Sequence, residues 1–319
     1  MLNRLQFVWG LAGSLIAPSA LGSAGGAARH DNAFRKVSLS VGTDKPFAVL
    51  HISDTHLAVL TDAEKAESAW RKKYYERRYA GSFRKAEEHL AQAIAYASEK
   101  GFPIIHTGDL VDCPSDGNIE VVRRLLPRGS ILASVGNHET CSRYFRGNSE
   151  KSDDIVRERN ESVVRIEKCW PNDRRVFSRV VNGVNFVLFD NSDYQIAADV
   201  RAGLEREFAR ALPVVLGCHI PFYTPELMAS PIRRGKSPAM FGVPPEISDA
   251  KERAFPFPDE QRPTKETLDA VAWLKDRPNL KAVLAGHLHT YWQGNLTPGV
   301  PQLVTGAHFK GCSYEISFT

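Results

Sequence analysis

The sequence predicts an α/β fold, on two observations. Short apolar runs of strand character alternate with amphipathic helical stretches, and five of these runs finish on Asp, His or Asn. The second observation also places a site, because ligands of open α/β sheets bind beyond the carboxyl ends of the strands. With 319 residues, 43% apolar and 24% charged, the chain has the composition of a globular protein with a sizeable core. No internal repeat or low-complexity linker divides it, so one large domain is expected. A net charge of +4, from 41 basic and 37 acidic residues, is too mild to argue for nucleic acid or a membrane surface.

The N-terminus stands apart. Arg4 precedes an apolar run from Leu5 to Ala17, and small residues follow from Ser23 to Ala28. That is the layout of a secretory signal peptide over residues 1–28. Export, to the periplasm or the exterior, is therefore expected. The run is short for a spanning helix, and no other segment approaches spanning length. Residues 29–45 read as a leader, and a folded domain is expected over 40–319. Five cysteines, Cys113, Cys141, Cys169, Cys218 and Cys312, leave at least one without a partner in the chain. Cys113 and Cys141 both follow strand ends, but free buried thiols are the favoured reading. No CxxC pair is present to suggest a cysteine zinc site.

The elements follow in order. Residues 46–53 are an apolar strand. A helical stretch begins near Thr61 and breaks at Gly81, where Ser82 offers an N-cap for the next helix. That helix lays Phe83, Ala86, Leu90, Ala93, Ile94 and Ala97 on one face and closes at Gly101. Strands are expected at Pro103–Thr107 and Ile131–Val135, with a helix at 118–126 between them. The charged stretch 151–168 reads as a helix. Asn182-Gly183 between two apolar runs, 176–181 and 184–190, is the strongest hairpin signal in the chain. A helix at 197–210, a strand at 213–218, a helix at Thr264–Asp276 and a strand at 281–286 follow. QLVTG and SYEISF supply two last strands. Between the strand at 213–218 and the helix at Thr264–Asp276, residues 222–262 are proline-rich and aperiodic, as in a functional insertion or lid.

The polar strand ends are the informative feature. They read ISDTH (52–56), TGDLVD (107–112), VGNHE (135–139), GCHIP (217–221) and AGHLH (285–289). Carboxylates and neutral imidazoles ligate zinc, iron, manganese and related ions. Asp54, His56, Asp109, Asn137, His219, His287 and His289 make seven candidate ligands. Seven is too many for one tetrahedral ion and suits two, which a shared carboxylate would hold about 3.5–4 Å apart.

These blocks, in this order, resemble the motif set of the calcineurin-like metallophosphoesterases across residues 47–290. The resemblance implies a four-layer αββα sandwich, two mixed β-sheets face to face with helices outside. It implies that Asp54, His56 and His289 bind one metal, that Asn137, His219 and His287 bind the other, and that Asp109 bridges them. Two ions, divalent or trivalent (Fe, Mn, Zn or similar), would acidify a bridging water, and hydroxide would attack phosphorus in line. His138 would not be a ligand; it would stand near the leaving group, as proton donor or as a positive partner for the phosphoryl oxygens. The implied activity is hydrolysis of a small or lipid-derived phosphoester, diester or monoester. Departures narrow the field. Protein phosphatases of this superfamily carry an Arg where this chain has Cys113, and purple acid phosphatases lack the His corresponding to His56 and place a Tyr ligand just after the second strand, whereas here Leu110 follows Asp109. The pattern is closer to the group of cyclic-nucleotide and glycerophosphodiester phosphodiesterases. A nuclease of the same superfamily is the alternative enzyme, and a catalytically silent binding protein that kept the fold is the alternative from another class. The first would show steep salt dependence of nucleic-acid binding. The second would be expected to have lost ligands, and every ligand type is in place.

Other residues have blander readings. His51, His106 and His308 are expected to be histidines satisfied by neighbours. Asp190, Asn191 and Asp193 are expected to be turn residues. Asp112 is either a cap or a hydrogen-bond support for a ligand. RKKYYERR (71–78) is expected to be a solvated helix face. Arg233, Arg234 and Lys236 are better placed to meet a charged substrate, in the insertion that follows His219. Neutralising all three is expected to raise KM several-fold more than it changes kcat across a set of phosphoesters; an unchanged KM would remove them from the substrate path.

Overall fold

The computed structural model describes residues 33–43, 45–67, 69–140, 152–230, 239–248 and 261–319. The signal-peptide layout, Cys141, Arg233, Arg234, Lys236 and much of the 222–262 insertion lie outside these residues. Among the described residues the chain runs β1 (Ala33–Leu39), β2 (Phe47–Ile52), α1 (Asp62–Ala66), α2 (Ala69–Arg77), a π-turn (Arg78–Ser82), α3 (Ala86–Lys100), β3 (Ile104–Thr107), α4 (Asp116–Leu125) and β4 (Leu132–Ser134). It continues through α5 (Ser152–Glu167), β5 (Val176–Val181), β6 (Val184–Phe189), α6 (Ala198–Phe208), β7 (Val214–Gly217), α7 (Pro225–Ala229), α8 (Pro245–Ser248) and α9 (Lys265–Lys275). The last strands are β8 (Leu280–Ala285), β9 (Trp292–Thr297), β10 (Val300–Val304) and β11 (Cys312–Phe318).

Two mixed sheets form, in the orders β1-β11-β2-β3-β4 and β5-β6-β7-β8-β10-β9. Strands β2, β3 and β4 are parallel neighbours, and so are β6, β7, β8 and β10. Alternation along each strand assigns the two faces. Val184, Phe186 and Leu188 of β6 pack with Val49, Ile105 and Leu132 of the other sheet, which fills the space between the sheets. The alternate residues Val187 and Phe189 face Val200, Leu204 and Phe208 of α6 and Leu274 of α9. On the far side, Leu50, Ile52 and Ile104 face Leu90, Ala93 and Ala97 of α3 and Val122 of α4. Helices, sheet, sheet, helices is the four-layer order expected. Strands buried on both faces explain why the runs read as continuous apolar segments.

Caps set several boundaries. Thr61 and Glu64 form a reciprocal capping box at α1, Ser115 caps α4, Thr264 caps α9, and left-handed Gly101 closes α3. Four expectations need correcting. Ser82 caps nothing: it ends the π-turn, and α3 begins at Ala86 without a side-chain cap. The stretch read as a leader contains β1, which pairs in parallel with β11 along the edge of the first sheet. Strand β9 escaped notice because WQGNLT is polar at an exposed edge. RKKYYERR is not a purely solvated face, because Tyr74 is buried at 3% exposure. Described parts of the insertion pack inward: Leu227, Met240 and Val243 are buried beside Leu288 and Trp292.

The β5–β6 hairpin turns on Asn182 (φ 46°) and Gly183 (φ 83°). Both central residues are left-handed, as a type I′ turn requires. A methyl group on Gly183 would meet no atom within 4 Å, so Gly183→Ala carries a purely conformational cost. The expected loss is about 1 kcal/mol, read as a lower denaturant midpoint with an unchanged m-value.

Candidate metal centre

The seven predicted ligands come together. Asp54 and His56 follow β2, Asp109 follows β3, Asn137 follows β4, His219 follows β7, and His287 and His289 follow β8. Because these strands run parallel within each sheet, their carboxyl ends share one edge, and the two edges meet at the site. His289 Nε2 lies 3.2 Å from Asp54 Oδ1 and 3.0 Å from His56 Nε2. His56 Nε2 lies 3.5 Å from Asp109 Oδ2. On the other side, Asp109 Oδ2 lies 3.2 Å from His219 Nε2. That nitrogen is 3.1 Å from His287 Nδ1 and 3.2 Å from Asn137 Oδ1. Two donor groups share Asp109, Asp54-His56-Asp109-His289 and Asp109-His219-His287, and a third, His56-Asp112-His138, adjoins the first through His56.

The donor spacing fits metal ions. Atoms each about 2.0–2.2 Å from one ion lie roughly 3.0–3.5 Å apart at right-angle or tetrahedral separations, which matches the distances above. For three of the four histidines the remaining ring nitrogen is held by a hydrogen bond, as ligand imidazoles require. His219 Nδ1 donates to the Thr107 carbonyl at 2.8 Å, His287 Nε2 meets the Tyr194 hydroxyl at 3.0 Å, and His56 Nδ1 meets Asp112 Oδ1 at 3.1 Å. Electrostatics point the same way. Burial would raise the carboxyls of Asp54 and Asp109, yet the neighbouring histidines hold both below the usual range. Burial would lower His219, but Asp109 and Asp54 raise it to about 9. Buried carboxylates that demand this much positive charge suit cations.

His138 sits apart from the shared-donor groups. Its Nδ1 is 3.1 Å from Asp112 Oδ1 and 3.0 Å from the Asp112 carbonyl, and its ring meets His56 edge-on at 4.6 Å. Its backbone N–H donates to Asp109 Oδ1 at 3.0 Å. Burial would lower its pKa, but Asp109 and Asp112 hold it well above the ordinary imidazole value. Glu139, in the same motif, ties the loops. It accepts the N–H groups of Asp109 and Val111 at 2.9 Å each and of Gly136 at 2.5 Å. Burial and Asp109 push its carboxyl up to about 7.

The local backbone is not extended. Asp54, His56, Asp109, His287 and His289 all have positive φ, between 49° and 70°. An argument from alternation along a strand therefore does not explain why Asp54 and His56 face one point; two left-handed residues do. They are held by Asp54 N–H to the Gly108 carbonyl and His56 N–H to the Asp109 carbonyl, both 2.9 Å, and by Phe309 N–H to the Asp54 carbonyl at 3.1 Å. Glycines permit the approach. A Cβ on Gly136 would lie 2.2 Å from Asp109 Oδ1, and one on Gly286 would lie 2.6 Å from Asp54 Oδ2.

The blander readings are sorted by the same contacts. His51 Nε2 meets Thr107 Oγ1 and His106 Nε2 meets Thr55 Oγ1, each at 2.9 Å, so both are supported by neighbours. His308 meets the Cys312 carbonyl at 2.9 Å. Asn191 is not merely a turn residue: its Oδ1 accepts the N–H groups of His219 and Ile220. Asp112 supports His56 and His138 rather than capping α4, which Ser115 does. Cys113, Cys169, Cys218 and Cys312 are free thiols. Tyr194, Tyr74 and Arg78 were missed, because each reaches the site from a loop or helix far away in sequence. Tyr194 has one backbone signal, φ 64°, which sequence does not show.

A shared-carboxylate pair of donor groups at the strand ends of a four-layer sandwich defines a dimetal hydrolase class of site. Residues 47–291 match the calcineurin-like phosphoesterase family, and the chain belongs to that family of phosphoester hydrolases. It is similar to a dimetal phosphatase from Danio rerio (13% identity, 83% of this chain and 88% of that one, TM-score 0.45). It is also similar to a 5'-nucleotidase from Candida albicans (12%, 86% and 48%, TM-score 0.37). A calcineurin-like phosphoesterase from Bacillus subtilis matches at 10% identity over 83% and 82%, with a TM-score of 0.39. No curated protein matches.

Gly136→Ala is expected to displace Asp109 and so to weaken manganese(II) binding at both donor groups, with a stability loss of about 1–3 kcal/mol. Calorimetric titration alongside Gly183→Ala separates the effects, since the hairpin variant should bind manganese(II) as the parent does.

Proposed function

We propose that the protein is a dinuclear metal-dependent hydrolase of a small or lipid-derived phosphoester, diester or monoester. The observation that carries this is the pair of donor groups sharing Asp109. Asp54, His56 and His289 would hold one ion, Asn137, His219 and His287 the other, with Asp109 between them. When bound, such a pair of ions supplies Lewis acidity that acidifies water near neutral pH and neutralises phosphoryl charge. The chain's own residues then do the rest. Asp112 engages Nδ1 of His138 and so orients the ring, and His138 would give a proton to the leaving-group oxygen. The side chain is only 13% exposed, so the proton is delivered from a site largely closed to water. A small or lipid-derived substrate agrees with the mild net charge of +4, which gives little overall attraction for a nucleic acid. The proposal includes export, on the layout of residues 1–28. No helix among the described residues is long and apolar enough to cross a membrane.

Asp109→Asn is expected to abolish hydrolysis and to lower affinity for both ions. Stripping the metals from the parent should also abolish activity, and re-adding manganese(II), zinc(II) or iron should restore it. A panel of monoesters, diesters, cyclic nucleotides and phospholipid head groups, assayed with elemental analysis of the same sample, checks both statements. Full activity in Asp109→Asn or in stripped protein would overturn the reading.

A further inference from the structure

The basic run 71–78 carries a device that the metal site itself does not require. Tyr74 and Arg78 lie one helical turn apart, so they share a face, and both aim at Asp112. Arg78 Nε donates to Asp112 Oδ2 at 2.8 Å and Nη2 to Oδ1 at 2.5 Å, a two-point fork, while the Tyr74 hydroxyl donates to Oδ2. Asp112 is fully buried, and its Oδ1 is within 3.1 Å of Nδ1 of both His56 and His138. One carboxylate thus orients a candidate ligand and the candidate proton donor together. The helix changes to a π-turn at Arg78, with Phe83 N–H donating to the Arg78 carbonyl at 2.7 Å. Such turns recur at functional sites. Here it brings Phe83 flat against the His56 ring, at 4.9 Å and 8°, with the Arg78 guanidinium 4.5 Å above Phe83.

We propose that Arg78, seconded by Tyr74, is a positioning residue that locks Asp112 and, through it, sets the orientation of both His56 and His138. A fork fixes the carboxylate plane as well as its position, which a lysine ammonium cannot do. The two-point contact uses the guanidinium on Asp112 and favours positioning over direct contact with substrate. This inference rests on the dinuclear reading above.

The test uses the full chain, manganese(II) titration by calorimetry and hydrolysis of bis(p-nitrophenyl) phosphate. Arg78→Gln is expected to weaken one of two manganese(II) sites about 10–100-fold and to lower kcat about tenfold or more with KM within about twofold. Arg78→Lys should recover part of both losses, and Arg77→Gln, which removes the same charge from the exposed neighbouring position, should behave as the parent. Two unchanged sites with unchanged kcat in Arg78→Gln would overturn the proposal. So would a raised KM at unchanged kcat, which would place the guanidinium on substrate. If Arg78→Gln does not fold, Arg78→Lys and Tyr74→Phe decide: parent-like behaviour in both overturns it. A parent that binds two manganese(II) ions but hydrolyses nothing defeats the function reading alone, and the titrations still decide the role of Arg78.

Discussion

Asp54, Asp109 and Asp112 are carboxylates buried at one edge of the sandwich, each at 1% exposure or less. Buried charge is tolerated only when it is paired and hydrogen-bonded, and much of the surrounding structure is arranged to meet that demand. Asp54 receives the N–H of His287 on both oxygens. Asp109 receives the N–H of His138 and lies within reach of His56 and His219. Asp112 receives Arg78 and Tyr74. The two sheets, which share no hydrogen-bonded strand, are brought together chemically at this point, since Asp54 and Asp109 belong to one sheet and His219 and His287 to the other.

The same demand explains the strained backbone. A left-handed non-glycine residue costs roughly 1–2 kcal/mol, and five candidate ligands adopt that conformation. Such strain persists only where the surroundings over-determine it. The loops after β2 and β3 do so by continuing their pairing beyond the strands, from Asp54–Gly108 through His56–Asp109 to the Leu57–Val111 bridge. Glu139 then ties the β3 and β4 loops through three backbone N–H groups. Glycines 136 and 286 leave room where a methyl group would strike the carboxylates. Each loop is held by the next, and Asp109 and Asp112 are reached by donors from more than one element.

Much of this was legible in the sequence. Strand and helix alternation gave the α/β class, the resemblance of the motifs implied the layers, and the recurrence of Asp, His and Asn at five strand ends placed all seven candidate ligands where the fold brings them together. Asn182-Gly183 and Gly101 marked their turn and their helix end correctly because each acts through contacts within a few residues. Ser82 failed as a cap for a tertiary reason: Arg78 and Phe83 are committed to Asp112 and His56, and the chain takes a π-turn to satisfy both. Polarity misled at β9 and across 71–78, where exposed neighbours hide one paired edge and one buried tyrosine.

The sequence alone determined the reaction centre: the donor types, their order and their position at strand ends, because these follow from local pattern and from the chemistry of the side chains. Only the tertiary structure decided how the donors are aimed. Left-handed turns at the ligands, the partner of each imidazole's second nitrogen, and the reach of Arg78, Tyr74 and Tyr194 into the site all depend on contacts between residues distant in the chain. No pattern of neighbours in sequence encodes those contacts, since the energy that holds them appears only once both sheets are packed.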